Sequence, residues 1–282
     1  MTPCGVAVVT DSAADLGDAA AENGITVVPL TVRFGNEEFR DGVDLTESQF
    51  YQRLQTGGPM PITAAPAPAL FASAYRALLG KGFERIVSIH IAHTLSGTFN
   101  NARLAAEEVG ADRIAVIDSR TATAGQGMLA LDAARRAREG ETSVQIVDAI
   151  QADIPRVQLF ATIPSLTFLA RGGRIGHLSG LVGNVLKIAP ILTLADGTIK
   201  EFAKVRTFSR AVEQLLDVVL TRIKDAAAVR TAVIHSMAPD LARSVAERLR
   251  AAPSVRSVYI SSVGPTVGTH AGPGAVGCVF IT

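Results

Sequence analysis

The amino-acid sequence predicts an α/β fold in two parts. Residues 1–157 form an N-terminal α/β domain with a parallel sheet, and residues 158–282 a smaller C-terminal mixed α/β domain with antiparallel strands. Three observations predict it. In the first half, short apolar runs alternate with helix-length segments, the pattern of strands joined by helical crossovers. In the second half, IAPILTLADGTIKEFAKVR is two alternating runs joined by Asp196-Gly197, a strong hairpin signal. The core material is aliphatic: hydrophobic residues make up 48% of the chain and aromatic residues 5%, without tryptophan, which suits buried parallel strands.

Along the chain, VAVVTD reads first, as a strand ending at Asp11-Ser12, either of which can cap the next helix. ITVVPLTVRF reads as one strand, with the turn FGNEEF after it. Thr46 and Gln49 stand at capping-box spacing ahead of Phe50 and Leu54, so a helix starts there. PITAAPAP reads as a loop, with Pro68 in the first turn of the helix ALFASAYRALLG. Strand RIVSIHIA, helix TFNNARLAAEEVG, strand RIAVIDS and helix GQGMLALDAARRAREG complete the first half. The boundary falls in DIPRVQ, near residue 157. Beyond the hairpin, two helices, TFSRAVEQLLDVVLTRIKD and PDLARSVAERLRAA, bracket the strand RTAVIHSM. The strand SVYISSVG then precedes a Gly-rich tail that reads as loop.

Composition narrows the function classes. The formal net charge is +1 with no basic run, which argues against a nucleic-acid partner. The most apolar later segment, GLVGNVLKIAPILTLADG, is broken by Lys187 and Pro190 and is too short to span a bilayer. With no secretory leader pattern at the start, the expected location is cytoplasmic, with transient membrane contact left open. Cys4 and Cys278, at opposite ends, show no metal-ligand spacing. No Walker A sequence and no GxGxxG after a strand is present. His90 and His93 would point to opposite faces of a strand and do not make a joint metal site.

Four stretches can carry chemistry. In HTLSGTFNN, Ser96-Gly97-Thr98 lies past the carboxyl end of a strand where a helix begins. Unpaired N–H groups, two hydroxyls and a glycine that admits close approach make that turn an anion site, although taken alone it reads first as a helix cap by Ser96 or Thr98, the residue types that lead at that position. Thr63 offers a hydroxyl from a loop on the same carboxyl edge. His270 sits among Gly268, Gly272, Gly274 and Gly277, a rigid setting for an imidazole. Arg171 and Arg174 flank Gly172-Gly173 and could fork onto a carboxylate or phosphate. A serine hydrolase with Ser96 as nucleophile and His270 as base is the alternative. It lacks an evident orienting carboxylate and the GxSxG elbow.

Taken together and in this order, VVTDSAADL, GITVVPLTVRFG, FRDGVDL, PITAAPAP, HTLSGTFNNA, VIDSR, GQG, LARGGRI, GTIKEFAKVRT and THAGPGAVG resemble the DegV family of bacterial fatty-acid-binding proteins, over nearly the whole chain. The resemblance implies a carrier that buries one long-chain fatty acid between two domains, with no cofactor, no metal and no turnover of its own. It also implies a partner, a separate fatty-acid kinase that converts the presented carboxylate to an acyl-phosphate for phospholipid metabolism. By motif, Thr63, Ser96, Gly97, Thr98 and His270 would hold the carboxylate, and Arg171 and Arg206 would stand at the ligand mouth or the partner contact. One departure is plain: the family's usual Thr-Ser-Gln-Pro-Ser is here Thr63-Ala64-Ala65-Pro66-Ala67. Ala67 falls at a helix cap, where losing serine costs about 1 kcal/mol.

Overall fold

The computed structural model describes residues 5–176, 178 and 189–282. Cys4 and the first half of the apolar segment containing Lys187 lie outside the described residues. The first sheet is wholly parallel and runs in the order β2-β1-β6-β7, with β1 at Val6–Asp11, β2 at Thr26–Val28, β6 at Arg85–His90 and β7 at Ile114–Asp118. A short helix, α1 (Ala19–Glu22), lies between β1 and β2. The strand order reverses between β1 and β6, so the crevice of this α/β sheet opens where Asp11 and His90 end their strands.

The stretch ITVVPLTVRF does not form one strand. Pro29 and Leu30 break it into β2 and β3 (Thr31–Phe34), and β3 joins a small antiparallel sheet with β4 (Glu37–Arg40) and β5 (Ile62–Ala64). Proline has no N–H to donate to a ladder, and the chain turns there from one sheet to another. The stretch PITAAPAP, expected as loop, supplies β5.

The second sheet has the order β10-β9-β8-β13-β11-β12: β8 spans Val157–Thr162, β9 Ala189–Ala195, β10 Thr198–Val205, β11 Val229–His235, β12 Val255–Ser262 and β13 Val276–Ile281. All its neighbours pair antiparallel except β11 and β12. The Asp196-Gly197 hairpin is present, with φ of 50° and 74° at the two residues, as a type I′ turn requires. The Gly-rich tail, expected as loop, holds two elements: a short helix, and β13, buried at all six residues in mid-sheet.

Helices fill the layers between and outside the sheets. α2 (Glu47–Thr56) has the expected capping box of Thr46 and Gln49, and Pro68 opens α3 (Pro68–Gly80) behind an uncapped Ala67. α4 (Thr98–Val109) packs with α3 on one face of the parallel sheet. α5 (Thr123–Arg138) and α6 (Ser143–Asp153) lie between the sheets in a core that takes Ile89 from the first and Ile234 and Val279 from the second. α8 (Phe208–Ile223) and α9 (Pro239–Arg250) cover the far face of the second sheet. Among the described residues no helix is long and apolar enough to cross a membrane.

Candidate functional site: a buried cavity with one polar end

Between the carboxyl edge of the parallel sheet and the inner face of the second sheet lies a cavity of about 150 Å³. Ile91, Leu95 and Ala122 line it from the first sheet's loops, and Leu159, Leu192 and Ile234 from the second sheet. Its polar lining consists of Thr63, Ser96, Arg174 and His270 together with Thr123, Thr193, His235 and Thr266. A more polar depression of about 390 Å³ adjoins the cavity and shares Ser96 and Arg174 with it.

Of these, Thr63, Ser96, Arg174 and His270 each arrive on a different element. Thr63 is the middle residue of β5, paired opposite Val32 of β3. His270 stands in the last turn of α10 (Pro265–Ala271), a helix where loop was expected. Thr63 Oγ1 and His270 Nε2 are 2.9 Å apart, and the other ring nitrogen, Nδ1, is buried with no partner among the described residues. Gly172 makes this placement sterically possible: a Cβ there would stand 2.1 Å from Nδ1. Burial, reinforced by the Arg174 charge, pushes the imidazole down to about 4, so at neutral pH it is uncharged with one donor and one acceptor.

Ser96 lies beyond β6 in the loop before α4. Its hydroxyl is 2.8 Å from Thr98 Oγ1 and accepts from Thr98 N at 3.3 Å. Gly97 is the N-cap residue and brings no side-chain cap, with ordinary φ of −69°. Thr98 is fully buried, so only Ser96 of this turn faces the cavity.

The arginines sort differently from what spacing suggests. Arg171 ends α7 (Thr167–Arg171) with an exposed side chain, Arg206 comes just after β10 and is also exposed, and neither lines the cavity. Arg174 does. Its Nε donates to Leu95 O at 3.0 Å and its Nη1 to Gly172 O at 2.7 Å. Partial burial lowers its pKa from the usual arginine value, and among the described residues no carboxylate pairs with it. A half-buried guanidinium without an acidic partner among the described residues is a group that an anion at the polar end would pair with.

A hydrolytic relay is not assembled here. Ser96 bonds to Thr98, His270 bonds to Thr63, and no described carboxylate orients His270 Nδ1. An aspartate–histidine–serine array does occur elsewhere, Asp11 Oδ2 to His90 Nδ1 at 2.9 Å and His90 Nε2 to Ser88 Oγ at 2.7 Å, but all three residues are 0% exposed and no substrate reaches them. His93 does not share the strand with His90, as β6 ends there; it stands in the following turn, is exposed and bonds Asp118. No cluster of metal-ligating side chains is present among the described residues.

The family model described as "Uncharacterised protein, DegV family" matches residues 5–282. The chain belongs to the DegV family. A DegV domain-containing protein of Streptomyces coelicolor is 38% identical over 97% of both chains. Among solved DegV structures, one of Thermus thermophilus, described for its fatty acid binding, superposes with a TM-score of 0.92 at 28% identity, covering 99% of both chains. The DegV of Bacillus subtilis, described as a fatty acid binding protein, gives 0.90 at 30% identity with the same coverage.

Proposed function

We propose that this chain is a carrier that binds a long-chain fatty acid in the cavity, with the acyl chain among the aliphatic side chains between its two domains and the carboxylate at the Thr63–Ser96–Arg174–His270 end. The single observation that carries this reading is the cavity's make-up: mostly aliphatic walls, and the Thr63–His270 pair and Ser96 together with a cation that has no acidic partner among the described residues. About fifteen methylenes buried at roughly 0.8 kcal/mol each supply on the order of 12 kcal/mol, ample after association costs. A buried carboxylate needs donors or it protonates. The Ser96 hydroxyl, the neutral imidazole of His270, the Thr63 hydroxyl and the guanidinium of Arg174 answer that need. The fatty-acid binding described for the Thermus and Bacillus DegV proteins supports the same reading.

The carrier is proposed to work in the cytoplasm and to present the carboxylate to a separate fatty-acid kinase, which makes the acyl-phosphate. Two features support presentation rather than turnover. The chain carries no Walker A sequence and no strand-borne GxGxxG, and the polar depression beside Ser96 and Arg174 lets a partner approach the head group. Exposed Arg171 and Arg206 are proposed for the partner contact.

Mass spectrometry of lipid extracted from the denatured protein tests the binding. A stoichiometric long-chain acid is expected, with retention weakened by Ser96→Ala. Repeated preparations that yield no lipid and fail to take up added oleate or palmitate overturn the reading.

A further inference from the structure

α10 has seven residues, too few to be helical by itself, and its N-cap residue, Gly264, brings no side-chain cap. Its first turn is held instead from two other elements. Gly264 N donates to Asp15 Oδ1 at 2.9 Å, and Thr266 N donates to Asp41 Oδ2 at 3.2 Å. The Thr266 hydroxyl donates to the same Asp41 oxygen. Asp15 ends the turn after β1, and Asp41 comes directly after β4. The flank is closed by α2: a Cβ on Gly268 would stand 2.7 Å from Tyr51 Oη, and that hydroxyl donates to Val263 O at 2.9 Å. A shift of α10 would therefore break these carboxylate contacts, and it would move His270.

We propose that Asp41, seconded by Asp15, is a positioning residue for the head-group end of the cavity: its carboxylate pins the first turn of α10 so that His270, in the last turn, meets Thr63 and the ligand carboxylate. The inference rests on the fatty-acid reading of the cavity.

The surroundings make this anchor titratable. Burial pushes Asp41 up to about 6, against the Thr266 and Ser12 hydroxyls, with the charge of Asp11 adding to the rise. Burial likewise holds Asp15 well above the usual carboxylate range, and the charges of Asp41 and Glu47 add to it. The other titratable groups facing the pair are Glu47 and Tyr51 on α2 and Tyr259 on β12, and burial raises both tyrosines; His235 on β11 faces Glu47 and Arg243 instead. Among the described residues no arginine or lysine is paired with either carboxylate. Ionised Asp41 grips α10 with charge-assisted bonds, and protonated Asp41 grips it less. The stability sign is opposite. A carboxylate whose folded pKa is raised contributes stability that is full below its unfolded value and is lost as pH rises through about 6. Between pH 7 and 5 the fold gains from Asp41 protonation while the ligand end loosens, a divergence that a merely structural residue would not produce.

The test is the dissociation rate of a fluorescent long-chain fatty acid from the full chain between pH 7.5 and 5, with the urea midpoint measured alongside. The native chain is expected to release the probe roughly fivefold to tenfold faster across the transition, the worth of one hydrogen bond losing its charge. Asp41→Asn should release fast already at pH 7.5, with a flat profile and a urea midpoint no lower than native. Thr266→Val, which removes one bond that favours the ionised form, should shift the native transition to higher pH. Native rates and a native pH profile in both variants overturn the inference while leaving the fatty-acid reading intact. Absence of probe binding to the native chain at every pH overturns both.

Discussion

The two sides of the polar end are built in opposite ways. The side that carries Ser96 grows out of the parallel sheet, and the Asp11 network behind it is closed on itself, although Thr121 Oγ1, Thr123 Oγ1 and Gln126 Oε1 around it are buried without partners among the described residues. Asp11 accepts from Ala13 N, Ile91 N and His90, His90 meets Ser88, and Ser88 meets Tyr75, whose hydroxyl is 2.9 Å away. The side that carries His270 is a short helix hung from two carboxylates, and it leaves Asp15 Oδ2 and His270 Nδ1 buried without partners among the described residues. A buried network with every member satisfied is rigid and specific; one with unpaired members waits for a further group. In the proposed site, the sheet edge, backed by the closed Asp11 network, would act as the fixed jaw and α10, hung from two carboxylates, as the adjustable one, with Arg174 supplying charge.

The largest effect is expected from breaking the fixed jaw. Asp11→Ala leaves the Ala13 and Ile91 N–H groups and the His90 ring without their acceptor inside the core, at a cost of roughly 3–5 kcal/mol. That is a large share of the stability of an ordinary domain, so the urea midpoint should fall steeply whether or not lipid is bound. A midpoint within experimental scatter of native would show that the sheet edge is not the rigid half.

The adjustable jaw should answer to acid instead. His270 is held down at about 4 by burial and by Arg174, so its folded pKa lies below the ordinary histidine value near 6.5. A depressed histidine contributes stability that is full above the unfolded pKa and is lost as pH falls through the folded one. The loss between about pH 6.5 and 4 should reach on the order of 2–3 kcal/mol in lipid-free protein. His270→Asn should flatten that limb of the stability-against-pH curve, and an unchanged limb would mean that the imidazole is already solvated. Bound carboxylate should raise the His270 pKa again, a shift readable from the ring protons by NMR.

Arg174 separates binding from folding more cleanly than either jaw. Arg174→Met keeps much of the stem's packing and removes the charge. Affinity for a long-chain fatty acid should drop by the worth of a charge-assisted bond, about 1.5–3 kcal/mol, with the urea midpoint of lipid-free protein at or above native because a half-buried cation is gone. Equal affinity in the variant would leave the head group to the hydroxyls and His270 alone.

The legibility of these parts in the sequence divides along the same line. The parallel sheet is readable because its information is local: apolar runs of strand length, a capping box at Thr46–Gln49, and Pro68 in a first turn all speak within a few residues. α6 carries an equivalent local signal in Thr142 and Gln145, a second capping box that would have marked its start. α10 cannot be read this way. PTVGTHA contains proline, glycine and two β-branched threonines, a poor helix by propensity, and it is helical because carboxylates far away in the chain cap it. Likewise β5 exists only as the partner of β3, after the turn at Pro29-Leu30 has delivered β3 to a new sheet. Among the arginines, three residues decide the matter. The chain leaves α7 at Gly172, so Arg171 points out on the last helical turn while Arg174 returns to Leu95 O, a difference that spacing in LARGGRI does not encode.

The smallest expected effect bears on the Ala64-Ala65-Pro66-Ala67 departure, which lies between the two jaws. Ala67 is the N-cap of α3 with φ −61° and ψ 149°, an extended conformation that suits serine, and no side chain caps the helix. Ala67→Ser should add about 1 kcal/mol and raise the melting temperature by roughly 2–3 °C. The residue does not line the cavity, whereas Thr63 does, so fatty-acid retention should stay native if the head group is held by the groups named above. A gain in retention out of proportion to the gain in stability would instead extend the polar end along this segment, making the alanines a specificity feature of the site rather than a missing cap.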